Sequence, residues 1–177
     1  MVLKLRVATP DDMPEMKVLM ALAIGQLMHD FLTPEQVEGS HETMGIDTQL
    51  IEDGTYFAVV EEDGKIVGCG GWSRRGTLYG GDHSAGRDNR LLNPATEPAR
   101  IRAMYTHPEH VRRGIGQMII DAGEAAARAE GFKSAQMGAT LAGEPLYRRC
   151  GYELIEVIQK HAKNGAIIPL KIMGKTL

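Results

Sequence analysis

Gly114 and Gly116 follow Arg112 and Arg113 at the head of an alanine-rich stretch, and residues of those types at that spacing can hold a phosphate. The first N–H groups of a helix lack intrahelical partners, and the helix dipole adds about half a positive charge there. Glycine lets that backbone close on an anion with no side chain between them, so a strand feeding a glycine loop at a helix start is an anion site. Two common phosphate loops do not fit. A dinucleotide fingerprint needs a third glycine where the chain has Ile119, and a nucleoside-triphosphate loop needs Gly-Lys-Ser/Thr, which is absent. The sequence also lacks the paired aspartates of a metal-assisted phosphotransferase, and no metal is expected. Cys150 precedes a glycine and has no obvious base to partner it as a nucleophile.

The elements that must position this loop follow from hydrophobic period and end signals. Val2–Ala8 alternates as a half-buried strand does. Thr9-Pro10 opens a helix predicted to reach about Met28, with Met13, Met16, Leu19, Met20 and Ala23 on its apolar face. Thr33-Pro-Glu-Gln36 carries a capping box and opens a second helix to roughly Met44, and 47–53 is one more short helical turn. Residues 55–61 and 65–73 form a hairpin about Glu62-Asp-Gly64. From Arg74 to Pro98 the hydrophobic period is lost, and this glycine- and proline-punctuated stretch is expected to be a loop inserted over a binding cleft. Residues 101–106 make the central strand, and 116–130 the strongest helix, with Ile115, Ile119, Ala122, Ala126 and Ala129 in one stripe. A strand at 133–139, a short helix at 144–149 and strands at 152–159 and 166–173 complete the chain. The expected order is β α α β β β α β α β β, in a single α/β domain spanning 1–177.

Two segments carry a family resemblance. Val111-Arg-Arg-Gly-Ile-Gly116, behind a strand that ends in Thr106-His-Pro, and Leu146-Tyr-Arg-Arg-Cys-Gly-Tyr152 are similar to the two signatures of the GCN5-related N-acetyltransferase (GNAT) family. The resemblance implies a mixed, mostly antiparallel sheet of about seven strands flanked by helices, with a bulged central strand splayed from its neighbour. It implies acetyl-CoA as co-substrate, with the pantetheine along the backbone of Met104, Tyr105 and Thr106. The pyrophosphate would then lie on the N–H groups of Val111, Arg112, Arg113, Gly114, Ile115, Gly116 and Gln117. The implied reaction is direct attack by a primary amine, of a small molecule or a peptide, in a ternary complex. Tyr147 matches the family's acid, and a phenol of pKa near 10 suits the protonation of a departing thiolate.

The chain departs from the family pattern in three places. Val111 stands where Gln or Arg is usual, and Thr140–Gly143 replaces the Asn that commonly begins the second signature. Arg100 occupies the position of the glutamate base in the histone-modifying branch, and a guanidinium cannot take a proton from an amine. Glu61, Asp82, His83, Asp88 and Glu97 are the candidate replacements, and His29 and Asp30 are candidates for lining the acceptor cleft. A catalytically weak acyl-CoA-binding module is the alternative reading.

Composition sets the remaining expectations. Across 177 residues, 43% are apolar and 24% charged, as in ordinary soluble globular proteins. A net charge of −3 offers no electrostatic case for nucleic acid. Arg74, Arg75, Arg87, Arg90, Arg100 and Arg102 are expected at or beside the cleft, which points to an acceptor carrying a carboxylate or phosphate. Two cysteines, no signal-peptide pattern and no apolar run near about 18 residues lead to the expectation of a cytoplasmic protein that does not enter membranes. The family resemblance favours a homodimer.

Overall fold

Punctuation by glycine, proline and capping residues places most of the elements in the computed structural model, which describes residues 2–177. The elements are β1 (Lys4–Val7), α1 (Met13–Leu27), α2 (Pro34–Ser40), α3 (Thr48–Glu52), β2 (Tyr56–Val60), β3 (Ile66–Ser73) and β4 (Ala99–Thr106). They continue with α4 (Ile115–Ala129), β5 (Ser134–Ala139), α5 (Glu144–Arg149), β6 (Glu153–His161) and β7 (Ile167–Thr176). Thr33 and Gln36 close the predicted capping box at α2, with bonds of 2.9 and 3.2 Å. Gly114 (φ 80°) and Gly131 (φ 93°) bracket α4 in a left-handed conformation that glycine adopts without strain.

The seven strands form one sheet in the order β1-β2-β3-β4-β5-β7-β6. Helices cover both faces of its centre, so β2 and β3 are buried at every position and show no alternation. On the α4 face, Ile115, Ile119 and Ile120 of the helix pack in one core with Trp72, Ile101 and Met137 of the sheet. Under α1, on the other face, lie Met16, Leu19, Met20, Tyr56 and Cys69.

Two irregularities shape the middle of the sheet. The register passes from Cys69↔Tyr105 to Gly71↔Arg102, so Gly70 alone faces both Ala103 and Met104. Ala103 takes φ 52° at this bulge. A Cβ on Gly71 would collide with the Thr55 carbonyl oxygen, so that position admits only glycine, and one on Gly70 would have to push Met104 Sδ aside. Tyr56 Oη donates to the Ala103 carbonyl at 3.2 Å and fixes the bulge from below. The second irregularity is the junction of β4 and β5. The two strands run parallel and pair only at Ala99↔Ala135 and Arg100↔Gln136. Beyond those pairs β4 separates, while β5 stays on β7 as far as Ala139↔Lys171. The expected splay of the central strands is therefore present.

Some elements differ from expectation. Residues 10–12 form a 3₁₀ turn before α1, and Ile24 joins the buried face while Met13 stays half-buried. The second helix stops at Ser40, because Gly39 and Ser40 are weak helix formers, and the chain continues as hydrogen-bonded turns to Met44. The buried face of α4 is Ile115, Ile119, Ile120, Gly123, Glu124 and Ala127, and Ala129 is exposed. That rotation brings Gly123 within 3.4 Å, at a built Cβ, of Trp72 and Ile101, so the helix sits close on the sheet. Segment 74–98 prolongs β3 as an irregular hairpin, with Leu92 N–H on Arg74 O (2.8 Å), Gly76 N–H on Arg90 O (3.0 Å) and Thr77 N–H on Asp88 O (2.9 Å).

Candidate active site

A cavity of about 630 Å³ fills the cleft that the splay opens. Met104, Tyr105 and Thr106 line it from β4, Val111, Arg112 and Gly114 from the following loop, and Ile115, Gly116 and Gln117 from the first turn of α4. Tyr147 lines it from α5. Of Tyr147 and the ten residues expected to hold the cofactor, only Arg113 is absent from its walls. Arg113 turns instead to Glu61, which accepts from its Nη1 at 3.1 Å.

The loop owes its shape to local sequence. His107 Nδ1 accepts the Glu109 N–H at 3.2 Å and turns the chain out of β4. Arg112 (φ 66°) and Gly114 (φ 80°) then fold the backbone inward. Among the described residues, no acceptor meets the N–H groups of Arg112, Arg113 or Gly114, and the first three N–H groups of α4 have none by helix geometry. The β4 edge beyond Arg100 is likewise without a strand partner on the β5 side. Open donors on a loop and an open strand edge beside it suit a phosphate joined to an amide-bearing chain. At Gly116 a Cβ would strike Leu146, so glycine there lets α5 close over the cavity.

Tyr147 is buried, and its hydroxyl makes no hydrogen bond to a described residue. Its ring lies over Gly143, where a Cβ would come within 2.8 Å, and meets Tyr152 edge-on at 6.5 Å. Burial, and then Cys150, pushes its phenol above the ordinary value of 10.0. Tyr152 has a different task, donating to the buried Glu124 at 3.0 Å. Cys150 donates to Gln117 Oε1 at 3.1 Å, and burial raises its thiol, so it stays protonated and structural.

The six arginines do not form the cationic pocket expected of them. Arg74 forks onto Glu130, Arg75 onto Asp53, and Arg90 onto Glu97. Arg87 and Arg102 converge on the buried Asp47, at 2.9 and 2.8 Å. Arg100 bonds the Gly76 carbonyl (3.4 Å) and Gln136 Oε1 (3.3 Å) where β4 meets β5. Only Arg102 reaches the cavity, and its charge is already matched. Spacing along the chain could not reveal this pairing, because the partner acids come from distant elements.

None of the five base candidates lines the cavity. Asp82 accepts the Thr48 N–H, His83 contacts the His41 carbonyl, Glu97 holds Arg90, and Asp88 accepts the Arg90 N–H. Glu61 binds Arg113 and His110, and the Arg113 hydrogen bond, followed by that from His110, holds its carboxyl below the usual range. Of the pair at the end of the first helix, Asp30 reaches the cavity and His29 does not. The sequence reading missed His110, Phe31, Leu78 and Tyr79, which also line it. A Leu-Tyr pair between glycines inside a polar insertion was the one available signal for the last two.

A bulged strand, a splayed parallel neighbour and an open-donor loop between them define the architecture of an acyltransferase fold. Residues 53–154 match the acetyltransferase (GNAT) domain, and the chain belongs to that family of N-acetyltransferases. Solved structures agree with the fold. A GCN5-related N-acetyltransferase from Rhodopseudomonas palustris superposes with a TM-score of 0.71 at 21% identity, covering 100% of this chain and 99% of its own. The PaiA N-acetyltransferase of Thermoplasma acidophilum, solved with coenzyme A, gives 0.66 at 11% identity, with 100% of each chain covered. An N-acetyltransferase from Staphylococcus aureus Mu50 gives 0.66 at 13%, covering 99% of each chain. No match emerges among curated protein sequences.

Proposed function

We propose that the protein moves an acetyl group from acetyl-CoA to a primary amine by direct attack in a ternary complex. The observation that carries this reading is the cleft itself, where an unpaired β4 edge, unpartnered loop N–H groups and the free Tyr147 hydroxyl face one cavity. In this reading the N–H groups of Arg112–Gln117 hold the pyrophosphate and the β4 backbone at Met104–Thr106 aligns the pantetheine. The neutral amine nitrogen forms a bond to the thioester carbonyl carbon, and the carbon–sulfur bond breaks. Tyr147 gives its proton to the leaving thiolate, and the proton shed by nitrogen passes to water and restores the phenol. Residues 1–177 act as one catalytic domain with 74–98 on the acceptor side. The protein works in the cytoplasm as a homodimer, for which sedimentation velocity should return twice the mass of 19.3 kDa.

Tyr147→Phe tests the assignment. Acetyl-CoA binding, read by calorimetry, should persist, while release of free CoA thiol in the presence of amine falls about 10²-fold or more. Equal turnover by the variant would remove Tyr147 from the mechanism. Binding without turnover by either protein would leave the binding-module alternative.

A further inference from the structure

The cavity has a second arm, away from the loop, whose chemistry is nearly uniform. Leu27 and Phe31 reach it from the end of α1, Met44 from the turn after α2, and Leu78 and Tyr79 from the insertion. Phe31 lines it while remaining 45% exposed. Asp30 beside it is the one carboxylate in this arm. Arg102, which also lines the cavity, is matched by Asp47 and donates to the carbonyls of Thr77 and Gly80, and Lys160 Nζ, outside the lining, donates to Tyr79 Oη at 3.4 Å.

The arm is also preformed. Arg87 donates to the carbonyls of Gly80 (3.1 Å) and Gly81 (3.0 Å) while Asp47 holds its other end. Gly81 N–H and Ser84 Oγ both bond the Thr43 carbonyl, at 2.8 and 2.7 Å, and tie the insertion to the α2 side. Tyr79 rests on Gly138 of β5, where a built Cβ comes within 2.9 Å, and Lys160 stands 5.0 Å from its ring centroid on the other side. The arginines that could have drawn an anion thus serve as struts for an apolar wall.

We infer that the acceptor is a small primary amine with an uncharged apolar body, an arylalkyl or medium-chain alkyl amine, seated against Leu27, Phe31, Met44, Leu78 and Tyr79. This rests on the acetyltransferase reading above and names its substrate class. A carboxylate or phosphate on the acceptor would face a wall whose arginine, Arg102, is already matched and whose neighbouring lysine, Lys160, lies outside the lining on the Tyr79 hydroxyl, and a polyamine would find one acid for several ammonium groups. An apolar body buries surface against side chains that water otherwise covers. The cavity of about 630 Å³ must also hold the pantetheine arm, which leaves room for a compact amine rather than a folded peptide segment.

The test offers the full-length protein acetyl-CoA with 2-phenylethylamine, hexylamine, spermidine, glutamate or a short peptide with a free apolar N-terminus, reading thiol release and product mass. The two apolar amines should exceed the other three in kcat/KM by about tenfold or more, the discrimination an apolar pocket can supply. Leu78→Asp should raise KM for 2-phenylethylamine by a similar factor with acetyl-CoA affinity unchanged. Phe31→Ser, at an exposed site where folding is not at stake, should move KM in the same direction. Preference for spermidine, glutamate or the peptide, or an unchanged KM in both variants, overturns the inference while leaving the acetyltransferase reading in place. If calorimetry shows no acetyl-CoA binding, or no amine in the panel is acetylated, the acetyltransferase reading fails and the inference falls with it.

Discussion

At the scale of single residues, the proton inventory of the cavity governs the pH behaviour. An alkyl amine with pKa near 10.4 is about one part in 10³ neutral at pH 7. The five candidate bases do not line the cavity, several are engaged in salt bridges and caps elsewhere, and Arg100 serves the strand junction. The kcat/KM should therefore climb about tenfold per pH unit between roughly 7 and 9, following the amine itself. In its proposed role Tyr147 acts only when protonated, and burial raises its phenol, so the falling limb should move up and lie above pH 10. A bell-shaped profile with its maximum near neutrality would mean that a protein base has been overlooked. Gly114 and Gly116 were legible as an anion loop from residue type and spacing, and Tyr147 only through the family resemblance. His110 and Phe31 were not, because a histidine in a turn and a lone aromatic after a helix look alike whether or not a cavity lies beside them.

Among the elements, β3 and β4 carry the geometry on which the cleft depends. Gly70→Val should push its new side chain into Met104 and Ile119, displacing the bulge. Overpacking of this kind costs about 1–3 kcal/mol, and acetyl-CoA affinity should drop at least about tenfold along with it. Full acetyl-CoA affinity in that variant would show that the bulge does not set the cofactor edge. Element order was legible because Thr33, Asn164-Gly165, Gly114 and Gly131 mark boundaries through local chemistry alone. The face of α4 was misjudged because alanine gives little periodic contrast, while Glu124, a carboxylate, turned out to be buried. The insertion was seen only as a break in pattern, since its ladder to Arg74–Thr77 joins polar segments with no apolar alternation.

The whole molecule has a core on each face of the sheet, and the halves of the sheet meet at two residue pairs. Glu124 helps to hold the α4 side together. It takes Lys175 Nζ on both oxygens at 3.0 Å, Tyr152 Oη at 3.0 Å and Arg128 at 3.3 Å, and so joins α4 to β7 and the start of β6. Glu124→Ala leaves Lys175 and Tyr152 without that partner and should destabilise the fold by about 2–3 kcal/mol, discounted because Lys175 is partly exposed. Thermal unfolding should report a fall of roughly 5–10 °C. A melting temperature unchanged within error would show that the network adds nothing. Sheet order and splay were available only through the family resemblance, since strand pairing is non-local and periodicity does not encode it.

The junction at Ala99↔Ala135 and Arg100↔Gln136 has one more consequence. The glycine loop lies past the C-terminal end of β4, so in the proposed reading a donor anchored there would extend down the cleft toward the vertex where the strands rejoin. In the proposed reading that vertex, just beyond the cavity-lining Ile101 and Met137, would act as a ruler for the acyl chain. Its mark is set by paired backbone, with Arg100 and Gln136 clasped beside it, rather than by a side chain that can swing aside. Propionyl-CoA should retain part of the acetyl rate, and butyryl-CoA should lose about tenfold or more in kcat/KM. Equal rates across the three thioesters would mean that the donor's tail exits elsewhere.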